Sequence, residues 1–165
     1  MILGFSPHTG HTIESEVLRA IIYYLQKMVK KNLEGKRVTI RRDPAPELLL
    51  GQPDLMRDLV RSLRNKHRYS AMTMSFLSED IPVPAFNGGD RMWREQVGKA
   101  LRLFNEVAYA GIPREARFQP LVGTHTHTGR LEVNILMPRA VYAANGKLLS
   151  FNLHPPREVT SVKVV

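Results

Sequence analysis

The sequence predicts an α+β domain with a central, largely antiparallel sheet and helices packed on one of its faces. Three segments carry apolar residues at helical spacing. In other segments apolar and polar residues alternate with period two, or the segment flanks a hairpin-type turn such as Asn145-Gly146. Helices mixed with hairpin strands are typical of antiparallel α+β proteins. The chain has 165 residues, the size of one ordinary domain, so we expect a single domain over 1–165.

The amino-terminal half predicts five elements in order. They are a short strand at 2–5, an amphipathic helix with Thr12 as N-cap that runs to Lys31, a short strand at 38–40, a turn-rich loop at 43–47, and a second helix from Pro53 to near Asn65. The first helix is predicted because apolar residues recur every three or four positions. Proline at the first position of the second helix sacrifices no intrahelical hydrogen bond.

The carboxyl-terminal half predicts one further helix and most of the sheet. The elements are a central strand at 69–77, a loop with Pro82, Pro84 and the NGG at 87–89, a helix from Met92 to just before Gly111, strands at 117–122 and 130–137, a hairpin of 140–144 with 147–151, and an edge strand or disordered tail after His154. Period-two alternation is clearest at 130–137, which therefore predicts a strand with one buried face.

Charge and composition narrow the possible functions. Lys and Arg number 24 against 15 Asp and Glu, giving a net charge of +9, which favours a polyanionic partner such as nucleic acid. The absence of cysteine excludes disulfides, thiol nucleophiles and Cys-ligated metals. The sequence shows no apolar run of about 20 residues and no secretory signal, so we expect a cytoplasmic protein without stable membrane insertion.

The strand at 130–137 carries the most informative polar residues. Alternation directs Glu132 and Asn134 to the face opposite the apolar residues, about 7 Å apart along the strand. The preceding turn can bring His125 or His127 alongside them. One imidazole, one carboxylate and one amide oxygen suit Mg²⁺ or Mn²⁺ better than a structural zinc ion. The sequence therefore predicts a divalent-metal site on this face.

A resemblance to a known family covers about residues 20–156. The third motif of plasmid mobilization relaxases resembles the runs HTHTGRLEVNILMPR at 125–139 and NGKLLSFNLHPP at 145–156. The segment leading into the second motif resembles residues 41–76, and the first motif resembles YYLQ at 23–26. The chain is thus similar to HUH endonucleases, in the subgroup whose metal-binding His triad is replaced by His, Glu and Asn.

The resemblance implies a DNA relaxase, a site-specific single-strand endonuclease and transesterase. In that reading Tyr24 attacks a phosphodiester at an origin of transfer and forms a 5′-phosphotyrosyl intermediate in plasmid mobilization or conjugation. The residues at the metal-ligand positions of the family are His125, Glu132 and Asn134, for Mg²⁺ or Mn²⁺. His127 is the candidate helper that removes the phenol proton or stabilises its anion.

DNA contacts are expected from three further residues. Ser75 matches the serine that precedes a phenylalanine in the family's second motif, where it contacts DNA near the cut. Arg130 and Arg139 flank the metal strand and can hold phosphates bidentately. The partners implied are single-stranded DNA at the origin, accessory mobilization proteins and a secretion-system coupling protein.

Departures from the family pattern leave alternatives open. His127 stands where the family usually has Asp, which favours, as an alternative, a catalytically inactive relaxase-like protein that binds DNA or acts as a conjugation adaptor. A basic adaptor docking on a membrane secretion machine is a third reading. The nucleophile is Tyr24, Tyr23, His8 or His11. A full relaxase continues further, so we expect a carboxyl-terminally truncated domain or a reduced relative.

Overall fold

A computed structural model of the chain describes residues 1–5, 25, 28–153 and 161–162. The strands are β1 (Ile2–Phe5), β2 (Met28–Leu33), β3 (Lys36–Arg41), β4 (Glu47–Leu50), β5 (Tyr69–Phe76), β6 (Leu121–His125), β7 (Leu131–Pro138), β8 (Ala140–Tyr142), β9 (Leu148–Ser150) and β10 (Ser161–Val162). The helices are α1 (Pro53–Ser62), α2 (Val83–Asn87) and α3 (Arg91–Ala108), and a 3₁₀ turn spans Arg114–Ala116.

Six strands form the central sheet in the order β10-β1-β5-β7-β6-β4. Every neighbouring pair is antiparallel. Two hairpins, β2–β3 and β8–β9, form separate two-stranded sheets. The predicted α+β class, with a central antiparallel sheet and packed helices, is confirmed.

The larger core lies between one sheet face and helices α2 and α3. β7 presents Leu131, Val133, Ile135 and Met137 to this core, as its alternation predicts, and all four are buried. Val97 and Ala108 are the buried residues of α3 in the same core. Asp90 caps α3, because its Oδ1 accepts from the backbone N–H of Met92 at 2.9 Å and satisfies a donor that a helix start leaves unpaired.

Helix α1 packs on the opposite face of the sheet. The prediction that the helices pack on one face of the sheet therefore holds for α2 and α3 and not for α1. Met56 and Val60 of α1 form a smaller cluster with Leu121 and Leu136. Leu121 and Leu136 are register partners, and alternation points both away from the larger core. This cluster covers one end of the sheet face that carries the predicted polar site.

The helix predicted to reach Lys31 is wrong in its last residues, since β2 begins at Met28. β2 pairs with β3 in unbroken register from Met28 opposite Arg41 to Leu33 opposite Lys36. Gly35, at φ 77°, lies in the turn between them and adopts a left-handed conformation that glycine tolerates. The pairing of β2 with β3 therefore determines the structure of these residues, although their apolar spacing predicted a helix. Leu25 is helical, and the rest of the predicted helix lies outside the described residues.

Three smaller differences concern segment boundaries. The loop expected around Pro82 and Pro84 contains the short helix α2, because proline is compatible with a first helical turn. β6 begins at Leu121 and not at Arg117, so it overlaps the predicted strand only at its end. β4 lies where only the end of a loop was expected, and it pairs with β6. The predicted tail strand is present as β10 and pairs with β1.

Within the residues that the structure describes, no helix is both long enough and apolar enough to span a membrane.

Candidate functional site

The candidate site lies where β6, β7 and β5 align on the face opposite the larger core. His125 on β6 is the register partner of Glu132 on β7, and Glu132 in turn pairs with Ser75 on β5. In the adjacent row, Asn134 of β7 lies between Gly123 and Thr73. Paired residues of antiparallel strands point to the same side. The three predicted metal ligands therefore share one surface.

His125 and Asn134 are in direct contact. Asn134 Nδ2 lies 3.1 Å from His125 Nδ1, and Thr73 Oγ1 donates to Asn134 Oδ1 at 3.0 Å. His125 is 4% and Asn134 5% exposed, so both polar groups are held away from bulk water. Buried polar groups fixed by mutual hydrogen bonds have restricted orientations, which is what a preformed binding site requires.

Glu132 is the accessible member of the predicted ligand set. Its side chain is 19% exposed, and Oε1 accepts from Arg130 Nε at 2.9 Å and from Arg130 Nη2 at 2.7 Å. The Arg130 side chain is 54% exposed, so water and salt compete with this pair. Arg130 thus lies at the entrance of the site, with its guanidinium beside the carboxylate.

Thr73 is a site residue that the sequence analysis missed. Ser75 was selected from the same strand by its match to a motif, whereas Thr73 has no motif to mark it. The available signal was alternation, which places Thr73 and Ser75 on one face of β5. Only the pairing of β5 with β7 aligns Thr73 with Asn134.

His127 follows the end of β6 in the turn that leads into β7. Its ring centroid lies 5.8 Å from that of His125, with the two rings nearly perpendicular. The turn is closed by a hydrogen bond from the Gly129 N–H to the Thr126 carbonyl at 3.1 Å. Asn87, at the end of α2, donates to Thr126 Oγ1 at 3.2 Å and ties this turn to the helix. His127 is therefore near the ligand set but is not a member of the same row.

The donor chemistry of the site fits a hard divalent cation. The described residues contain no group of three His, Asp or Glu side chains placed to hold a metal, so the amide of Asn134 has to complete the set with His125 and Glu132. The Thr73 hydroxyl both donates and accepts, so it can support either orientation of that amide. An imidazole nitrogen with carboxylate and amide oxygens suits Mg²⁺ or Mn²⁺.

Among the predicted site residues that the structure describes, Arg139 is the one that lies far from His125, Glu132 and Asn134. It follows β7 at the end opposite Glu132, about 23 Å away along an extended strand at roughly 3.3 Å per residue. Its guanidinium is buried and donates to Asn152, and its backbone N–H donates to the Arg68 carbonyl. Burial lowers the pKa of Arg139 from its ordinary value.

The proposed nucleophiles Tyr24, Tyr23, His8 and His11 lie outside the described residues. Leu25, which follows Tyr24 in the sequence, packs against the cluster of Met56, Val60, Leu121 and Leu136 on the site face. Leu25 itself thus lies on the same side of the sheet as His125 and Glu132.

Tyr109 is excluded as an alternative nucleophile. It is fully buried in the larger core on the other sheet face, where its hydroxyl donates to the Phe118 carbonyl at 2.9 Å. Its ring stacks on Phe151 with centroids 4.9 Å apart. Burial raises the pKa of Tyr109 to about 12. At neutral pH a smaller fraction of this phenol is therefore ionised than in an ordinary tyrosine.

The raised pKa of Tyr109 predicts a loss of stability at high pH. The unfolded chain ionises this phenol near pH 10, whereas the folded chain resists ionisation up to about pH 12. The stabilisation from the neutral buried form is therefore complete below pH 10 and falls as pH rises toward 12. Urea unfolding at pH 8 and pH 11 should show a smaller pH-dependent loss in Tyr109→Phe than in the wild type. The same loss in both proteins would contradict the assignment, and the exposed Tyr142→Phe serves as control.

Comparisons with protein-family models, with curated proteins and with solved structures gave no significant match for this chain.

Proposed function

We propose that the protein is a metal-dependent single-strand DNA nickase and transesterase of the relaxase type. It cleaves one strand at an origin of transfer and keeps the 5′-phosphate covalently bound to Tyr24. The observation that carries this proposal is the alignment of His125, Glu132 and Asn134 on one sheet face, with His125 directly opposite Glu132. The resemblance to mobilization relaxases rests on these same residues.

The geometry supports distinct roles for the residues of the site. His125, Glu132 and Asn134 would hold Mg²⁺ or Mn²⁺, and such an ion polarises a phosphate oxygen when bound. Arg130 has a charged, largely exposed guanidinium beside Glu132, suited to a bidentate contact with a DNA phosphate. Ser75, in the row of Glu132, has a hydroxyl on the same face and supports a further contact to the strand.

The proposed reaction exchanges one phosphate ester for another. The Tyr24 hydroxyl oxygen forms a bond to phosphorus while the bond from phosphorus to the 3′ oxygen breaks. The phenol proton passes to His127, and the released 3′ oxygen takes up a proton from water to become a hydroxyl. Because an ester is kept throughout, the strand can be rejoined by the reverse reaction without a nucleotide cofactor.

Covalent capture of labelled DNA tests the proposal. The probe is a pool of single-stranded oligonucleotides of randomised sequence that carry a fluorophore at the 3′ end, since the 3′ fragment stays on the protein. With Mn²⁺ or Mg²⁺ we expect a labelled adduct that survives boiling in detergent, and we expect none in EDTA. Tyr24→Phe should abolish the adduct, whereas Tyr142→Phe, in the exposed hairpin, should leave it unchanged.

Two results would contradict parts of this scheme. An unchanged adduct in Tyr24→Phe would move the nucleophile to Tyr23, His8 or His11. If no adduct forms with either metal although the folded protein binds the pool, the protein is the inactive DNA-binding alternative. Whether the protein cleaves DNA or only binds it, its affinity for single strands should fall as salt is added. The logarithm of the binding constant should decrease with the logarithm of the salt concentration, with a slope of about 0.7 per phosphate contacted.

A further inference from the structure

A cavity of about 740 Å³ lies on the sheet face opposite the candidate site. Its walls come from α3, from β4 at the edge of the sheet and from the segment 114–120, and its floor is formed by Val122 and Ile135 of the sheet. Ligand pockets in proteins usually measure about 300–1,000 Å³. The cavity is therefore large enough for a small organic molecule.

The inner surface of the cavity is mainly apolar. α3 contributes Val97, Leu101 and Phe104, and α2 contributes Phe86. Gly98 lies in the same wall, so one turn of α3 exposes backbone where another residue would place a side chain. Glycine in a helix interior is unfavourable relative to alanine. Its presence here widens the cavity beside α3.

The charged residues that line the cavity leave an excess of positive charge. They are four arginines and one glutamate: Arg94, Arg102, Arg114, Arg117 and Glu106. Three of the arginines have acceptors. Arg94 donates to Glu47 at 2.6 Å and to the Phe86 carbonyl at 3.0 Å, while Arg114 and Arg117 both pair with Glu106.

Arg102 differs from these three, because no described residue accepts a hydrogen bond from its guanidinium or forms an ion pair with it. A Cβ at Gly98 would lie 3.4 Å from Arg102 Nη1, so this cation extends along the glycine wall of the cavity. Arg102 is an exposed residue, so its guanidinium is open to a ligand that enters from solvent, and a guanidinium binds a carboxylate or another anion through charge-assisted hydrogen bonds.

A second polar feature of the wall points to a ligand. Asn105 Oδ1 is buried and has no hydrogen-bond partner among the described residues. Leaving a buried acceptor unpaired is unfavourable, and native proteins rarely do so. Asn105 lines the same cavity as Arg102, on the next turn of α3, and an N–H or O–H group entering there would give this oxygen a partner.

We propose that this cavity binds a small amphipathic anion. Its apolar body, an aromatic ring or a short hydrocarbon, packs on Leu101 and Phe104, and its anionic group binds Arg102. A donor on the ring pairs with Asn105. This proposal does not depend on the nuclease function, because the cavity and the candidate site lie on opposite faces of the sheet.

The probe for this proposal is indole-3-acetate, which combines an aromatic ring, an N–H donor and a carboxylate. Isothermal titration calorimetry with the full chain should show saturable binding. 3-Methylindole, which lacks the carboxylate, should bind roughly tenfold more weakly, since a charge-assisted hydrogen bond contributes on that scale. Arg102→Gln should weaken indole-3-acetate by a similar factor and leave 3-methylindole unaffected. Lys99→Gln, on the same helix outside the cavity, is the matched control.

Gly98→Leu tests the cavity itself. Leucine fills the space beside α3, so this variant should lose binding while its unfolding temperature stays at or above that of the wild type, because leucine is a better helix former than glycine. Gly98→Ala is the smaller change and should retain measurable binding. Absence of saturable binding in the wild type, or equal binding in wild type and a folded Gly98→Leu variant, would overturn the proposal.

Discussion

Glu132→Gln should reduce metal-dependent adduct formation by about 10²–10³-fold, the loss that corresponds to several kcal/mol of transition-state stabilisation by a bound ion. The substitution keeps the size of the side chain and removes the one carboxylate among the three predicted ligands. Glu132 is aligned with His125 and is the most accessible of the three, so it is the group that an incoming cation meets first. Adduct yield against Mn²⁺ concentration measures the effect.

The same substitution should leave the fold almost unchanged. Glu132 interacts with Arg130, a largely exposed partner, and such surface pairs contribute about 0–1 kcal/mol to the free energy of unfolding. Glu115→Gln, an exposed acidic residue in the 3₁₀ turn, is the matched control and should retain full activity. If Glu132→Gln and Glu115→Gln formed adduct equally well, Glu132 would not be a metal ligand.

Leu136→Ala should lower the free energy of unfolding by about 2–5 kcal/mol, the usual range for truncating a buried leucine. Leu136 lies on the central strand β7, is fully buried, and packs with Met56 and Val60 of α1. Truncation leaves a cavity between the helix and the sheet, and it removes one of the contacts that hold α1 on the site face. Urea denaturation monitored by circular dichroism measures the change.

Leu55→Ala is the matched control for Leu136→Ala, since Leu55 lies on α1, the helix that packs against Leu136, and is 63% exposed. An exposed leucine contributes little burial, so the free energy of unfolding should change by no more than about 0.5 kcal/mol. Equal losses in the two variants would show that α1 does not pack on the sheet through Leu136.

The position of the site was predictable where it depends on one strand. The alternation of residues 130–137 places Glu132 and Asn134 opposite the core residues Val133 and Ile135, and β7 has that arrangement. The reason is that side chains of an extended chain alternate whatever the neighbouring strands do. The helix α3 was predictable for a similar reason, because the spacing of its apolar residues is a local property of the sequence.

The placement and conformation of residues that depend on contacts between distant segments were not predictable. Arg139 follows the strand that contains Glu132, and only the folded chain shows that its side chain is buried at the opposite end and donates to Asn152. The helix expected to reach Lys31 gives way to β2 because β3, beyond a turn at Gly35, offers a complete set of strand partners. The spacing of apolar residues within one segment gives no information on whether another segment pairs with it as a strand.

The sequence by itself determined the class of fold, the polar face of β7 and the residue types that can hold a cation. The tertiary structure decided which strands lie side by side, and hence that His125 is opposite Glu132 while Thr73 bonds to Asn134. It also placed α1 on the site face and opened a cavity under α3. The physical reason is that periodicity fixes the direction of a side chain from local geometry, whereas register and packing depend on which distant surfaces bury each other.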